Sequence, residues 1–331
     1  MITQSSETVC KRLVAGILCI AACVSTGCSF YRHHRMADNI VAIGWDLDGS
    51  PVSLGQEVTY KSGFVGVSPH IVDPSYDLGP LVVSRPDGRR AVVAGFDSWW
   101  QIVWAVPRRP GKGFAVALRK GGLKDRKSVC LLIDNAARTR PCPAAVNPNS
   151  ENAYMVADSD QLVTWMAARP ADARAVNLQT GEAVPASSVP AHLAREGRQG
   201  LDLSFSALAP GGTTWAVSVT GGPRKAIWPI EAGAEPRLLA PLSPGDRTPG
   251  ILDRSIEANV RLFPQIYGLA WAPDGKWIYW CGTGLQALIA STADGSSRTV
   301  TPCLNGATWS PDGRRIAGID EKRVVRVWLV Q

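Results

Sequence analysis

The 331-residue chain has few of the residues that most catalysis uses: it contains four histidines, and two of them, His33 and His34, are adjacent near the amino terminus. It has no Gly-x-Ser-x-Gly elbow, no His-Glu-x-x-His pair and no phosphate-binding Gly-x-x-x-x-Gly-Lys loop, and Gly282-Thr-Gly284 only begins a dinucleotide fingerprint. His70, in Ser68-Pro-His-Ile-Val-Asp-Pro74, and His192, in Pro190-Ala-His-Leu-Ala194, are the general bases left, and nothing in the sequence brings them together. No catalytic residue, metal or cofactor is therefore assigned, and the chain is expected not to be an enzyme. Charge is sparse at 19%, and Trp, at 12, outnumbers Phe and Tyr at 6 each. With 32 Gly and 24 Pro the chain is too rich in turn formers for a helical bundle, while 45% hydrophobic residues argue against disorder.

Long apolar runs are also missing. The one near the amino terminus, Leu13 to Ala22, follows Lys11 and Arg12 and is too short to span a bilayer comfortably. It ends in small residues and cysteine. Ile20-Ala21-Ala22-Cys23 and Ser25-Thr26-Gly27-Cys28 both resemble a bacterial lipobox, in which the cysteine sulfur carries a diacylglycerol and becomes the first mature residue. Cys28 gives the longer hydrophobic region, with Cys23 as the alternative. The resemblance implies a signal peptide over 1–27, a lipidated cysteine and tether over 28–38, and a protein held at the periplasmic face of the outer membrane of a Gram-negative bacterium, since Ser29 rather than Asp follows Cys28. An ordinary cleaved signal or a single anchor helix would also export the rest.

Outside the leader, four cysteines remain: Cys130, Cys142, Cys281 and Cys303. Four thiols allow three pairings. The segments around Cys130 and Cys142 look like neighbouring strands, as do those around Cys281 and Cys303, so Cys130–Cys142 and Cys281–Cys303 are the expected bridges in an oxidising periplasm. Zinc is the rival reading, and it lacks a Cys-x-x-Cys and nearby histidines.

The chain also repeats itself. Gly268-Leu-Ala-Trp-Ala-Pro-Asp-Gly-Lys-Trp-Ile-Tyr-Trp280 matches Gly306-Ala-Thr-Trp-Ser-Pro-Asp-Gly-Arg-Arg-Ile-Ala-Gly318, and Leu81-Val-Val-Ser-Arg-Pro-Asp-Gly-Arg-Arg-Ala-Val-Val93 is a third copy. Leu203 to Val217, with Pro210-Gly-Gly, is a degenerate fourth. Each reads as an alternating strand, a tight turn and a second alternating strand. Single hairpins are not stable alone, so units of about 40 residues must stack. The Trp-[Ser/Ala]-Pro-Asp-Gly unit resembles the TolB-type, or WD-like, β-propeller repeat.

The resemblance implies an all-β fold, a β-propeller of four-stranded blades over 39–331 with an insertion near 241–264. The last unit offers three strands before Gln331. If the amino-terminal strand Asn39 to Trp45 completes it, six blades follow, closed by that strand; if Asn39 to Trp45 opens a blade with Pro51 to Leu54, there are seven. Two β-sandwiches are the rival architecture and leave the repeat unexplained. Residues 29–38 show no strand pattern and read as the tether.

The formal net charge is +7, and residues 108–127 hold eight cations, Arg108, Arg109, Lys112, Arg119, Lys120, Lys124, Arg126 and Lys127, against Asp125 alone. The excess is thus local. A strand through Gly113 to Leu118 with basic loops on one rim would attract acidic partners by long-range steering. Trp99 and Trp100 precede it and cannot both face one side of a strand, so one is a candidate binding anchor. Asp46-Leu-Asp-Gly49 and Asp158-Ser-Asp160 begin calcium-type loops but lack the further carboxylates, and read as turns.

The expected function is therefore non-catalytic: a membrane-anchored propeller binding another protein with an acidic surface, as an envelope scaffold or assembly factor, or as an immunity protein against a periplasmic toxin. Binding of glycan or lipopolysaccharide through Trp99 or Trp100 and the basic residues is the alternative, and a propeller lyase or hydrolase a third reading. Nucleic acid is not expected as a partner.

Overall fold

The computed structural model describes residues 30–35, 39–65, 70–71, 75–96, 100–121, 126–156, 159–166, 169–186, 205–209, 214–219, 226–231, 240–241, 269–281, 286–302, 304–320 and 324–330. The leader with Cys23 and Cys28, Trp99, Lys124, His192, Cys303 and the expected insertion beyond Pro241 lie outside the described residues. The chain divides into two compact units, one of residues 1–37 and 57–79 and the other of 38–56 and 80–331.

In the first unit, β1 (Phe30–Arg35) pairs antiparallel with residues Thr59 to Phe64, and the two-residue β4 (His70–Ile71) pairs with Phe64 and Val65. Residues 30–35 were expected as tether. Ladder hydrogen bonds come from the backbone, so a strand can form where no apolar alternation announces it.

In the second unit the described strands are all β and fall into successive antiparallel sheets. The first is built from β2 (Asn39–Trp45), the start of β3 (Pro51–Val65), the end of β5 (Ser75–Ser84) and β6 (Arg90–Val92). The second is β7 (Gln101–Pro107), β8 (Phe114–Lys120), β9 (Lys127–Ile133) and β10 (Thr139–Pro141). The third is β11 (Asn152–Met155), β12 (Gln161–Met166), β13 (Arg169–Asn177) and β14 (Ala183–Pro185). The fourth is β15 (Phe205–Leu208), β16 (Thr214–Val219), β17 (Ala226–Glu231) and β18 (Ala240–Pro241). The fifth is β19 (Leu269–Trp271), β20 (Trp277–Cys281), β21 (Gln286–Ser291) and β22 (Ser297–Pro302), and the last has only β23 (Asn305–Trp309), β24 (Arg315–Ile319) and β25 (Val325–Leu329).

First strands touch first strands: β2 meets β7, β7 meets β11, β15 meets β19, β19 meets β23, and β23 meets β2. That is propeller geometry, with each sheet a blade and its first strand innermost. Both expected blade counts are corrected. Among the described residues there are five four-stranded blades and a three-stranded final sheet, and Asn39 to Trp45 makes no hydrogen-bonded closure with that sheet. Asn39 to Trp45 pairs with Pro51 to Gln56 in its own blade. The tight turn after Trp45 fixes that choice locally, because a short antiparallel hairpin costs far less loop entropy than a strand returned to the far end of the chain.

The ring is joined by packing instead. Ile43 and Trp45 of the first blade form one buried cluster with Ala317 and Ile319 of the final sheet. The Arg315 guanidinium lies 5.4 Å from the Trp45 ring centroid, within cation–π range. A Cβ on Gly49 would stand 2.6 Å from an Arg315 terminal nitrogen, so the side chain is seated where only glycine leaves room.

Cores lie between blades, and β8 shows how one strand serves two. Phe114, Val116 and Leu118 join Val52, Leu54, Leu81 and Val83 of the first blade, while Ala115 and Ala117 join Trp104, Leu162, Val176 and Leu178 toward the third. Period-2 alternation sends large residues one way and small ones the other. The alanines leave room for the Trp104 indole, whose N–H donates to the Ser150 carbonyl at 3.1 Å.

The Pro-Asp-Gly turns share one construction. Asp87, Asp274 and Asp312 each accept a hydrogen bond at Oδ1 from the backbone N–H two residues on, at 3.0, 2.9 and 3.1 Å, and Gly275 and Gly313 both sit at φ 68°, which only glycine adopts without strain. The copies are not in phase, however. Asp274 and Asp312 join first to second strands, whereas Asp87 joins the third and fourth strands of its blade. Both kinds of hairpin turn at the same end of a meander, so sequence spacing alone does not separate them. Trp45→Ala should destabilise the fold by about 3–5 kcal/mol, whereas Trp277→Ala, on a residue 37% exposed, should cost far less; urea unfolding of both variants checks this.

Candidate functional site

The second blade carries most of the basic residues expected to bind a partner, and its topology separates them. Arg108, Arg109 and Lys112 lie on the β7–β8 turn, while Arg119, Lys120, Arg126 and Lys127 lie where β8 passes to β9, at the other end of the sheet. Seven residues of strand, at about 3.3 Å each, keep the two groups about 20 Å apart. The expected single rim patch is thus two, because both connections of an antiparallel strand are basic and they point opposite ways.

At the β7–β8 end, turns from several blades meet. The Gly111 N–H donates to the Trp45 carbonyl at 2.9 Å, and a Cβ on Gly111 would be 2.6 Å from Leu47 Cγ. Arg85 and Asp46 pair at 2.5 Å, and Pro273 lies against Gly313. Asp46-Leu-Asp-Gly49 follows Trp45 as Pro-Asp-Gly follows Trp271 and Trp309. Gly49 donates to the Asp46 carbonyl at 3.0 Å and Ser50 to Asp48 Oδ1 at 2.8 Å, so the calcium-like stretch is another copy of the repeat turn. Among the described residues no group of three His, Cys, Asp or Glu could hold a metal ion.

Arg108 faces inward. Its Nη2 donates to both carboxylate oxygens of Asp160 at 2.9 Å, and its Nη1 to the Lys112 carbonyl at 3.2 Å. Gln179 donates to the same carboxylate at 2.9 Å, and the two charged side chains are only 5% and 4% exposed. This pair ties the second blade to the third. Burial by itself would raise the Asp160 carboxyl pKa, but the hydrogen bonds from Gln179 and Arg108, with the charges of Arg108 and Arg109, hold it below the ordinary value. Arg109 and Lys112 remain exposed on this face, and Leu47 beside them is 83% exposed.

At the β8–β9 end, Trp100 is half-buried. Phe96 packs edge-on to it at 5.6 Å, the Lys120 ammonium sits 5.7 Å from its ring centroid, and its carbonyl accepts from Gln56 at 2.7 Å. Arg126 and Lys127 are exposed. Desolvation, with the positive charge of Arg126 beside it, lowers the Arg119 pKa, and Glu151 acts the other way. Cys130 and Cys142 form a disulfide between the outer strand β9 and the residue following β10, as their strand neighbourhood predicts. The expected partnership of Cys281 with Cys303 involves a residue outside the described set. His70 lies in the first unit.

No family model matches the chain, and no curated protein does either. Solved structures overlap it at low similarity. The Cps50 (Swd1) β-propeller domain of Myceliophteria thermophila is 11% identical, covering 90% of this chain and 99% of its own at a TM-score of 0.43. An oligogalacturonate lyase from Vibrio parahaemolyticus is 9% identical, with coverages of 91% and 97% and a TM-score of 0.43. TolB from Acinetobacter baumannii is 12% identical, with coverages of 82% and 57% and a TM-score of 0.42. All three fall below the similarity at which an overlap bears on activity; the blade order is what makes this chain a propeller.

Of two residues central to this site, Asp160 was legible only as part of the Asp158-Ser-Asp160 turn, and Gln179 carries no motif. Asp160→Asn should lower stability at neutral pH by about 3–5 kcal/mol, since it leaves Arg108 a buried charge without its counter-ion. Because the native carboxyl pKa is depressed, its contribution is complete above the unfolded value of about 3.9 and is lost as pH falls through the native one. The stability gap between wild type and variant should therefore narrow below about pH 4, as denaturant titrations across pH would show.

Proposed function

We propose that this chain is a lipid-anchored, extracytoplasmic propeller that binds another protein and does no chemistry of its own. The observation that carries the reading is Leu47, 83% exposed at the tip of the first blade's turn and flanked by the exposed cations Arg109 and Lys112 of the next. An exposed aliphatic side chain set among cations suits a partner with an apolar hollow rimmed by carboxylates. The Cys130–Cys142 bridge supports an oxidising compartment, and the lipobox-like leader supports attachment through Cys28, with Cys23 the alternative. An envelope scaffold or an immunity protein would each use such a face. Glycan stacking on Trp100 is less favoured, because Phe96 and Lys120 already pack on that ring.

Cross-linking in intact cells, isolation of the tagged chain and mass spectrometry test the reading. One protein should co-isolate, and Leu47→Asp with Lys112→Glu should abolish its capture while Arg126→Glu with Lys127→Glu leaves it. Capture that survives the first pair and fails with the second would move the interface to the opposite end. Capture that survives both, or glycan without protein, would end the reading. Labelled fatty acid should be incorporated by wild type and lost in Cys28→Ser; incorporation lost only in Cys23→Ser would move the anchor.

A further inference from the structure

The β8–β9 ladder end contains polar groups without protein partners. Arg119 and Ser128 are directly opposite in the antiparallel register, on the face of the sheet that also carries Ala117 and Cys130, toward the third blade. Residues so placed have Cβ atoms about 5 Å apart. Arg119 Nε and Ser128 Oγ are both buried from solvent and neither has a hydrogen-bond partner. A buried donor left unpaired is costly, and two facing each other across one ladder rung form an unfilled acceptor position.

The next rung, Lys120 opposite Lys127, projects to the other face of the sheet, where Lys120 lies over Trp100. Charge lies nearby: Arg126 is close enough to act on Arg119, and Glu151 acts on it with the opposite sign. Two unpartnered donors facing each other, with the Arg126 guanidinium near, suit an anion with several acceptor oxygens.

We infer that Arg119 Nε–H and Ser128 Oγ–H form an oxyanion site of the phosphate class at the junction of the second and third blades, with Arg126 supplying further charge. A phosphate group can accept from both donors and still present oxygens to Arg126 and to water, whereas the fork of one guanidinium already satisfies a carboxylate. Free phosphate and a lipid headgroup present the same oxygens, and the two arms of the test below separate them. None of these residues belongs to the turn face at the other end of β8, so this site and the protein-binding face stand or fall separately.

Calorimetric titration of the full chain with inorganic phosphate, and flotation with phosphatidylcholine vesicles containing or lacking phosphatidic acid, test the assignment. Saturable binding is expected in at least one arm, and the arm that responds identifies the source of the phosphate. Arg119→Lys, which keeps the charge but removes the Nε donor, should weaken binding about tenfold, and Ser128→Ala several-fold. Arg138→Lys, on an exposed ion pair of the same blade, should leave it unchanged. Ser128→Ala removes a single oxygen, so it keeps the test valid if the arginine variant folds poorly. Absence of saturable binding in both arms, or binding that neither Arg119→Lys nor Ser128→Ala weakens, would overturn the site.

Discussion

Ring closure by side-chain packing is the constraint on which the second unit depends. Among the described residues the final sheet has three strands and the first blade keeps Asn39 to Trp45 as its own first strand, so no described backbone ladder crosses the seam between them. Ile43, Trp45, Ala317 and Ile319 hold it together, with Arg315 laid over the Trp45 ring. A ladder distributes its energy over many bonds, whereas this seam concentrates it in a few buried side chains. Trp45 is central to it, since the same residue packs at the seam and begins the turn that carries Leu47.

The other blade junctions use the same economy of residues. β8 is buried on both faces and divides its large and small side chains between two cores. Where β8 reaches its ends, the alternation brings charge to the junction. Arg108 is neutralised there by Asp160 and Gln179, and the pair ties two blades together. At the opposite end Arg119 has no such partner for its Nε. The Arg108 charge is thus countered by a buried carboxylate, whereas Arg119 Nε faces the equally unpartnered Ser128 Oγ.

The contrast bears on function. A propeller presents its turns on one face and its longer connections on the other, and a chain with basic residues at both ends of one blade has two separate surfaces. The exposed Leu47 with Arg109 and Lys112 suits a protein, while the vacant donors of Arg119 and Ser128 suit a small anion. The two ends of a blade do not compete for space, so both surfaces can be occupied at once.

By itself the sequence determined the all-β class, the repeating hairpin and the turn chemistry of Asp87, Asp274 and Asp312, and it made Cys130–Cys142 one of the expected bridges. These are local properties, set by alternation, by the φ that glycine allows and by strands adjacent in the chain. The first copy of the repeat turn, at Asp46 to Gly49, was legible as an Asp-rich turn but not as a member of the repeat, because Leu47 occupies the proline position and hides the match. Tertiary structure alone decided the blade count, the packed seam, and which basic residues face solvent. Arg108 and Arg109 are neighbours in sequence, yet one is buried against Asp160 52 residues away and the other faces solvent. Pairings of that kind depend on which blades become neighbours, and that is fixed only when the sheets pack.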